Sequence, residues 1–200
     1  MRRPRRKAEE TREDILGTAE HLFRQRGIAG CSIADIAQAL GMSPANVFKH
    51  FHSKPALVDA ICERHMGRLI ARLATLDEEA PAPIRMARVV LNVMEAHLQD
   101  LRENPHLFEM ILKVSKDRLP SALIYRQKIE DLFTDLINQG MKASIYHCSD
   151  AFEASRLASA AFASVLHPVM LANADPEELQ ERCAGLAALV NAALQNPFAK

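Results

Sequence analysis

The sequence predicts an all-α protein, and three observations support this prediction. Of its 200 residues 48% are hydrophobic, which is enough for a sizeable core and argues against disorder. Glycine and tyrosine are scarce while alanine, leucine, glutamate and arginine are abundant, a composition that favours helices over strands. Apolar residues recur every three or four positions, and Ser, Asp, Pro and Gly stand where helices would begin or end.

Residues 31–54, CSIADIAQALGMSPANVFKHFHSK, predict two short helices joined by a tight turn. Ser32 is a suitable N-cap, and the apolar residues after it keep helical spacing: Ile33, Ile36, Ala37 and Leu40. Gly41 can take the positive φ that ends a helix, and Ser43 with Pro44 begins the next one. The pattern is a helix-turn-helix, and its second helix has a size that fits the DNA major groove.

Charge is distributed unevenly along the chain, although the formal net charge is zero. Residues 1–54 hold ten Lys or Arg and six Asp or Glu, a surplus of four positive charges. Residues 55–200 hold fifteen and nineteen, a surplus of four negative charges. A basic head on an acidic body suits a protein that binds a polyanion, so we predict two domains with these bounds.

The head is predicted to begin with a basic arm and a helix. The arm, MRRPRRK, carries Arg5 and Arg6, which are placed to reach phosphates or the minor groove; the alternative is a solvated terminus without function. A helix over 8–26 follows and ends at Gly27, with one apolar stripe: Ile15, Leu16, Ala19, Leu22 and Phe23. This stripe would bury the back of the helix-turn-helix, which makes the head a three-helix domain.

Residues 12–61 resemble the DNA-binding domain of the TetR family of bacterial transcriptional regulators. The matching positions have the spacing of that family: Arg12, Ile15-Leu16, Ala19, Leu22-Phe23, Gly27, Ser32-Ile33, Ile36-Ala37, Gly41-Met42-Ser43, Val47-Phe48, His50-Phe51, Ser53-Lys54 and Leu57. The rest of the chain agrees in length and helical pattern. The resemblance implies a sequence-specific DNA-binding regulator whose residues 55–200 form a helical ligand-binding and dimerisation domain.

Three side chains of the second motif helix are predicted to reach base edges. Asn46 can pair with adenine, Lys49 can donate to guanine O6 and N7, and the small Ala45 can contact a thymine methyl group. The alternative for Asn46 is a hydrogen bond to its own backbone. Phosphate contacts are predicted for the side chains around this helix: Ser32, Ser43, His50 and Lys54. Phe48 belongs to the same DNA-contacting set, but it lacks the hydroxyl of the tyrosine that is usual there in the family.

Six further helices are predicted after the head. Their ranges are about 54–75, 84–103, 105–114, 120–140, 150–173 and from 176 onward, with a proline-containing loop before the second. The first links head to body, so it is the natural lever for any signal. The last two are rich in alanine and carry surplus apolar positions such as Val165 and Leu189, which we interpret as a homodimer interface, as the resemblance also implies.

The resemblance further implies a small-molecule cavity among the body helices. The candidate lining residues are soft, aromatic or singly polar within otherwise apolar helices: Met66, Met94, His97, Phe108, Met110, Tyr125, Phe133 and Phe162. The alternative is ordinary core packing, because Met and Phe at helical spacing are typical of cores. Charged residues are scarce on those faces, so we expect a mainly apolar effector.

These expectations combine into one hypothesis of mechanism. A homodimer places two recognition helices in successive major grooves of a double-stranded DNA operator, roughly 34–36 Å apart or somewhat more. An effector binds better to a state with a different spacing of the heads, and a coupling free energy of ~1–3 kcal/mol suffices to release the DNA. Repression is the default direction of control, and activation is the alternative.

Three other classes of protein fit the sequence less well. A metal sensor would use the eight His and four Cys, but their spacings match no zinc site, so we expect no metal and no cofactor. An all-α enzyme is disfavoured because HExxH, GxSxG and glycine-rich phosphate loops are absent. A sequence-independent DNA-coating protein is disfavoured by Asn46, Ser43 and the acidic body.

The sequence also favours the cytoplasm over a membrane or an oxidising compartment. The four cysteines read as small, reduced core residues. No signal peptide follows the basic N-terminus, and no apolar run of the ~18 residues needed to span a bilayer is expected.

Overall fold

The computed structural model describes residues 8–75 and 79–196, which form ten helices and no strand. In chain order they are α1 (Ala8–Arg26), α2 (Ile33–Ala39), α3 (Pro44–His50), α4 (Lys54–Ala74), α5 (Ala82–Glu103), α6 (Pro105–Lys116), α7 (Pro120–Lys142), α8 (Ala151–Leu166), α9 (Pro168–Leu171) and α10 (Pro176–Gln195). The predicted all-α fold is therefore confirmed. The predicted DNA contacts Arg5 and Arg6 lie outside the described residues.

The head is built from α1, α2, α3 and the first half of α4 around one hydrophobic cluster. Ile15 and Phe23 of α1, Ile36 of α2, Val47 of α3 and Leu57 of α4 are fully buried in it. The cluster also contains a row of residues from α6: Leu107, Met110, Ile111 and Val114. The boundary that we predict at residue 54 is therefore bridged by continuous apolar packing.

The body has its own hydrophobic cluster, formed by the second half of α4 with α5, α7, α8, Leu171 of α9, and α10. Met94 of α5, Phe133 of α7 and Phe162 of α8 lie at its centre without solvent exposure. The rings of Phe133 and Phe162 pack at a tilt with their centroids 5.5 Å apart. Because α4 contributes Ile61 to the head cluster and Leu69 to the body cluster, it connects the two regions as one continuous helix.

Most helix ends lie within two residues of their predicted positions, but the helix predicted over 150–173 is wrong as a single element. It divides into α8 and α9 at His167, whose φ of −77° and ψ of 124° are not helical. Pro168 causes the break, since proline has no backbone N–H and disfavours a helical conformation in the residue before it. The last helix is capped by Asp175, whose side chain accepts from the backbone N–H groups of Glu177 and Glu178.

Two surplus apolar positions on the last helices have different environments. Val165 is fully buried in the body cluster, so its assignment to an exposed dimer face is wrong. Leu189 is 65% exposed, as a residue of an uncovered face would be. Leu157 of α8 is an apolar residue with the same exposure, 65%.

The segment Ala151–Leu171 is long and apolar enough, at a mean hydropathy of 1.2, to cross a membrane by length and composition alone. The expectation that no segment reaches this threshold is therefore wrong. The finding is weak evidence for a membrane, because helices that belong to a protein core satisfy the same criterion. Here the non-helical backbone at His167 interrupts the segment, and Phe162 packs into the body core.

Candidate functional site

The second helix of the motif, α3, is short, and its ends are held by specific hydrogen bonds. The Ser43 hydroxyl oxygen accepts from the backbone N–H of Asn46 at 3.3 Å, and Pro44 occupies the first turn. At the other end the Phe51 N–H donates to the Val47 carbonyl at 3.0 Å. Val47 and Phe51 are buried and hold the helix on the head, which leaves the remaining face of α3 open to solvent.

That open face carries the side chains predicted to read bases. Ala45 and Lys49 are exposed, Asn46 is half-buried, and Phe48 is 45% exposed. The Asn46 side-chain amide lies 3.5 Å from the Met42 sulfur, a weak acceptor that leaves most of its hydrogen-bonding capacity unused. A methyl group, an amide, an aromatic ring and an ammonium group are thus presented together on one small helix.

The N-terminus of α2 forms a reciprocal capping box. The Ser32 hydroxyl oxygen accepts from the Asp35 N–H at 3.2 Å, and an Asp35 carboxylate oxygen accepts from the Ser32 N–H at 2.7 Å. The Ser32 hydroxyl also donates to that carboxylate, and these hydrogen bonds hold the pKa of Asp35 below its ordinary value. The predicted cap is confirmed, and a phosphate contact by Ser32 stays a prediction.

The start of α4 brings basic side chains beside the motif. Ser53 caps the helix, since its hydroxyl oxygen accepts from the Ala56 N–H at 3.2 Å. The Lys54 ammonium lies 5.9 Å from the centre of the Phe23 ring, and the Arg12 guanidinium lies 4.7 Å from the centre of the Phe51 ring. These cation–π contacts orient both cations on the head.

Arg12 is a basic side chain that sequence reasoning left out of the DNA-contacting set. It lines a shallow depression of about 240 Å³ together with His50 and His52. Asp59 and Glu63 line the same depression. Their carboxylates offset the positive charge that the basic residues near Lys54 bring to this part of the head. The only advance sign was the position of Arg12 within the family pattern.

A second, larger cavity of about 750 Å³ lies in the body, lined mainly by α7 and α8 with parts of α4, α6 and α9. Of the eight predicted lining residues, Met66 and Tyr125 line it. The other six lie elsewhere, buried in the core: Met94, His97, Phe108, Met110, Phe133 and Phe162. Sequence reasoning missed the polar part of the wall, which includes Lys116, Arg118 and Arg126. No periodicity signal distinguishes such residues from an ordinary solvated face.

Tyr125 connects this cavity to a buried polar group. Its hydroxyl lies 3.1 Å from Nε2 of His97 on α5, and the two rings meet edge to face. Burial lowers the pKa of His97 to about 4, so its imidazole is neutral at physiological pH. One helical turn further on, the Asp100 carboxylate lies 2.6 Å from Nε2 of His65 on α4. Two polar pairs therefore lie one helical turn apart on α5, one with the cavity wall and the other with the helix that enters the head.

The cysteines and histidines form no metal-binding group in the part of the chain that the structure describes. The four cysteines are free thiols, and burial raises the pKa of each, to about 12 for Cys62. Thiols held in their protonated form are poor metal ligands and poor nucleophiles.

A three-helix helix-turn-helix head on a helical body with a cavity is the architecture of a DNA-binding regulator, and comparisons with known proteins identify the family. Residues 15–61 match the model described as "Bacterial regulatory proteins, tetR family". Residues 82–187, more than half of the chain, match the model described as "Tetracyclin repressor-like, C-terminal domain". The chain belongs to the TetR family.

The most similar relatives include regulators from two bacterial groups. The HTH-type transcriptional regulator TtgR of Pseudomonas putida is 32% identical over 106 residues, which cover 51% of this chain and 50% of TtgR. The HTH-type transcriptional repressor Rv3405c of Mycobacterium tuberculosis is 43% identical over 76 residues, which cover 38% of this chain and 39% of the repressor. The matches thus span half or less of the length of these relatives.

Solved structures agree over nearly the whole chain. A TetR-family regulator from Pectobacterium atrosepticum superposes with a TM-score of 0.68 at 20% identity and covers 99% of both chains. GusR of Salmonella enterica superposes with a TM-score of 0.62 at 22% identity, covering 94% of this chain and 96% of its own. At these identities the likeness shows a shared fold.

Proposed function

We propose that the protein is a homodimeric, sequence-specific DNA-binding repressor that a small effector releases from its operator. The observation that carries this proposal is the open face of α3, where Asn46 and Lys49 stand on a helix fixed at both ends. The proposal makes the protein a regulator rather than an enzyme and places its activity in the cytoplasm, where its DNA lies.

Specific reading of DNA requires base contacts as well as phosphate contacts, and α3 offers groups for both. The Asn46 amide suits adenine and the Lys49 ammonium suits guanine, each in the major groove. Ser32, Ser43, His50 and Lys54 surround the helix and are assigned to the phosphates, together with Arg12. Phe48 adds an apolar contact to the sugar–phosphate backbone but no donor.

A dimer is favoured by the uncovered faces of the last long helices. Phe152 on α8 and Leu189 on α10 are exposed and do not line the cavity, and small residues such as Gly185 and Ala188 surround the second of them. Small residues let helices approach closely, so two copies of α8 and α10 could pack as a four-helix interface. Such a dimer would present two α3 helices to one near-palindromic site.

The coupling between cavity and head is assigned to α4 and α6. Leu57 of α4 is buried in the head core, and Met66, nine residues or about 14 Å along the same helix, lines the cavity. The Asp59 carboxylate of α4 accepts from the backbone N–H of Ser121 at the start of α7, which forms a cavity wall. A shift of α7 around a ligand would therefore act on α4 directly.

The helix α6 offers a second connection between the same two places. At its C-terminal end Ser115 and Lys116 line the cavity. At its N-terminal end the Asn104 side chain accepts from Arg24 of α1 at 3.3 Å, and His106 packs against Gly27. The expectation that α4 is the lever is thus extended to a pair of helices that both contact head and cavity.

The first test is selection of genomic DNA fragments by the purified full chain at stated salt, followed by sequencing. A near-palindromic enriched motif is the expected result, and the absence of any enriched motif would refute sequence-specific binding. With a selected fragment, Asn46→Ala and Lys49→Ala should each lose about 1–3 kcal/mol of binding free energy. Lys142→Ala, an exposed lysine on α7 far from the motif in sequence, is the matched control and should bind like the wild type.

Release by an effector is tested separately, by DNA titration with and without a small molecule that binds the body. Weaker DNA binding in its presence is expected, and by linkage DNA should weaken binding of that molecule by the same factor. A molecule that occupies the cavity and leaves the DNA affinity unchanged would refute release.

A further inference from the structure

The body cavity combines an apolar inner wall with a charged rim. Met66, Ile129 and Leu166 are buried residues of the inner wall. The charged lining residues are four cations and two carboxylates, which leaves a surplus of two positive charges: Lys116, Arg118, Arg126, Arg156, Glu130 and Glu153. The body as a whole carries the opposite surplus, so this positive rim stands out from its surroundings.

The two carboxylates of the rim already have partners within their own helices. On α7 the Arg126 guanidinium lies 3.7 Å from Glu130, and on α8 the Arg156 guanidinium lies 3.4 Å from Glu153. The arginines of both pairs are more than half exposed, so these pairs are weak, but they account for both acids.

Lys116 and Arg118, at the end of α6, have no ion-pair partner among the residues that the structure describes. The acid between them, Asp117, is held by Lys113 at 2.7 Å. Arg118 also adopts a φ of +52°, a left-handed conformation that residues with a side chain seldom take. This conformation ends α6, where the Leu119 N–H donates to the Val114 carbonyl at 2.9 Å as in a common helix C-cap. Here the turn places an uncompensated guanidinium at the mouth of the cavity.

We infer that the cavity takes an amphipathic organic anion, with its acidic group at Lys116 and Arg118 and its apolar part against the inner wall. This inference names the ligand class of the cavity and rests on the proposed function only in treating that cavity as the effector site. It departs from the expectation of a mainly apolar effector, because Lys116 and Arg118 come from the end of α6, and their charges do not appear in its apolar stripe.

Two fluorescent probes with the same aromatic skeleton test the inference. The anion 8-anilinonaphthalene-1-sulfonate and the neutral N-phenyl-1-naphthylamine differ in the sulfonate group. The chain contains no tryptophan, so probe fluorescence is read with little protein background. Each probe is titrated into the full chain, at low and at high salt, and its dissociation constant is measured.

Three variants locate the binding and separate charge from shape. The double variant Lys116→Gln, Arg118→Gln removes the two unpaired cations. Lys128→Gln removes an exposed lysine of α7 that does not line the cavity and serves as the charge control. Ala163→Phe adds bulk at the lining of α8 and should exclude both probes from the cavity.

The expected result is that the double variant weakens binding of the anion about tenfold, equivalent to 1.4 kcal/mol, while binding of the neutral probe changes less than twofold. High salt should weaken the anion more than the neutral probe. The inference is overturned if the double variant binds the anion like wild type, if both probes change equally, or if Ala163→Phe leaves both unaffected.

This outcome is independent of operator binding, which the DNA selection measures. If the chain binds its operator but shows no preference for the anionic probe, the inferred ligand class is refuted and the proposed DNA-binding function stands. If DNA selection yields no motif but the anionic probe is still preferred, the proposed DNA-binding function is refuted and the inferred ligand class stands.

Discussion

His97 offers the sharpest test of how the body core is built. It lies on α5 with 1% exposure, and among the described residues its side chain pairs with the Tyr125 hydroxyl at 3.1 Å from Nε2. Its Nδ1 atom has no partner among the described residues. Burial lowers the pKa of His97 to about 4 from an ordinary value of 6.5; Asp100 opposes this with a smaller effect, and His65 and His167 add still smaller effects in the direction of burial.

The direction of the pH dependence follows from that lowered pKa. Between pH 4 and 6.5 the unfolded chain binds a proton at His97 that the folded chain excludes, so the free energy of unfolding rises with pH in this window. The contribution is complete above pH 6.5 and is lost as the pH falls toward 4. Linkage gives a loss of about 2 kcal/mol between pH 7 and pH 5 from this one group.

The substitution His97→Leu removes the titrating group and keeps an apolar side chain of similar size. Urea unfolding of both proteins, followed by helical circular dichroism at pH 5, 6 and 7 and one protomer concentration, measures the difference. We expect the wild type to lose about 2 kcal/mol more than His97→Leu between pH 7 and 5. Glu20 and Asp35, whose carboxyl pKa values are lowered, are shared by both proteins and lose their stabilising charge at lower pH. Equal pH slopes would refute the neutral, buried His97.

Three further predictions concern two residues of the head and one near the C-terminal end of α7. Ser32→Ala should lower the free energy of unfolding by about 1 kcal/mol through loss of the cap; thermal unfolding measures it, and an unchanged Tm would contradict the capping role. Phe48→Tyr should bind a selected DNA fragment more tightly by about 0.5–1.5 kcal/mol through a new donor to phosphate; unchanged affinity would place residue 48 away from the backbone. Gly140→Ala should cost about 1–3 kcal/mol, because the new Cβ would lie 2.6 Å from Cε2 of buried Tyr146, whose hydroxyl is held by Asn191; unfolding as stable as wild type would contradict this packing.

The head could be predicted closely because its signals are local. The caps of α2 and α3 are made by Ser32 and Ser43 as expected, and Val47 is buried as its position relative to the caps requires. Capping and helical spacing involve residues within four positions of each other, so the sequence contains the whole interaction. The break at His167 also has a local cause, Pro168. The single helix predicted over 150–173 did not take this proline into account, and the structure has two helices there.

The cavity could not be predicted in the same way, because its walls come from helices distant in the sequence. Met94, Phe108 and Phe133 have the same character as Met66, yet they fill the core while Met66 lines the cavity. Periodicity identifies the buried face of a helix, but it does not say whether the facing helix fills the space. Whether the space is filled depends on how the helices pack against each other, and local sequence patterns do not determine this packing.

The sequence by itself determined that this protein is helical, that its head is a helix-turn-helix, and which side chains of α3 lie on its open face. The tertiary structure decided that α4 and α6 each contact both head and cavity, and that the charges of the α6 end stand beside an apolar wall. The physical reason is the range of the interactions: caps and amphipathic stripes act over one or two turns, whereas a cavity rim assembles from Lys116, Arg126 and Arg156 on three separate helices.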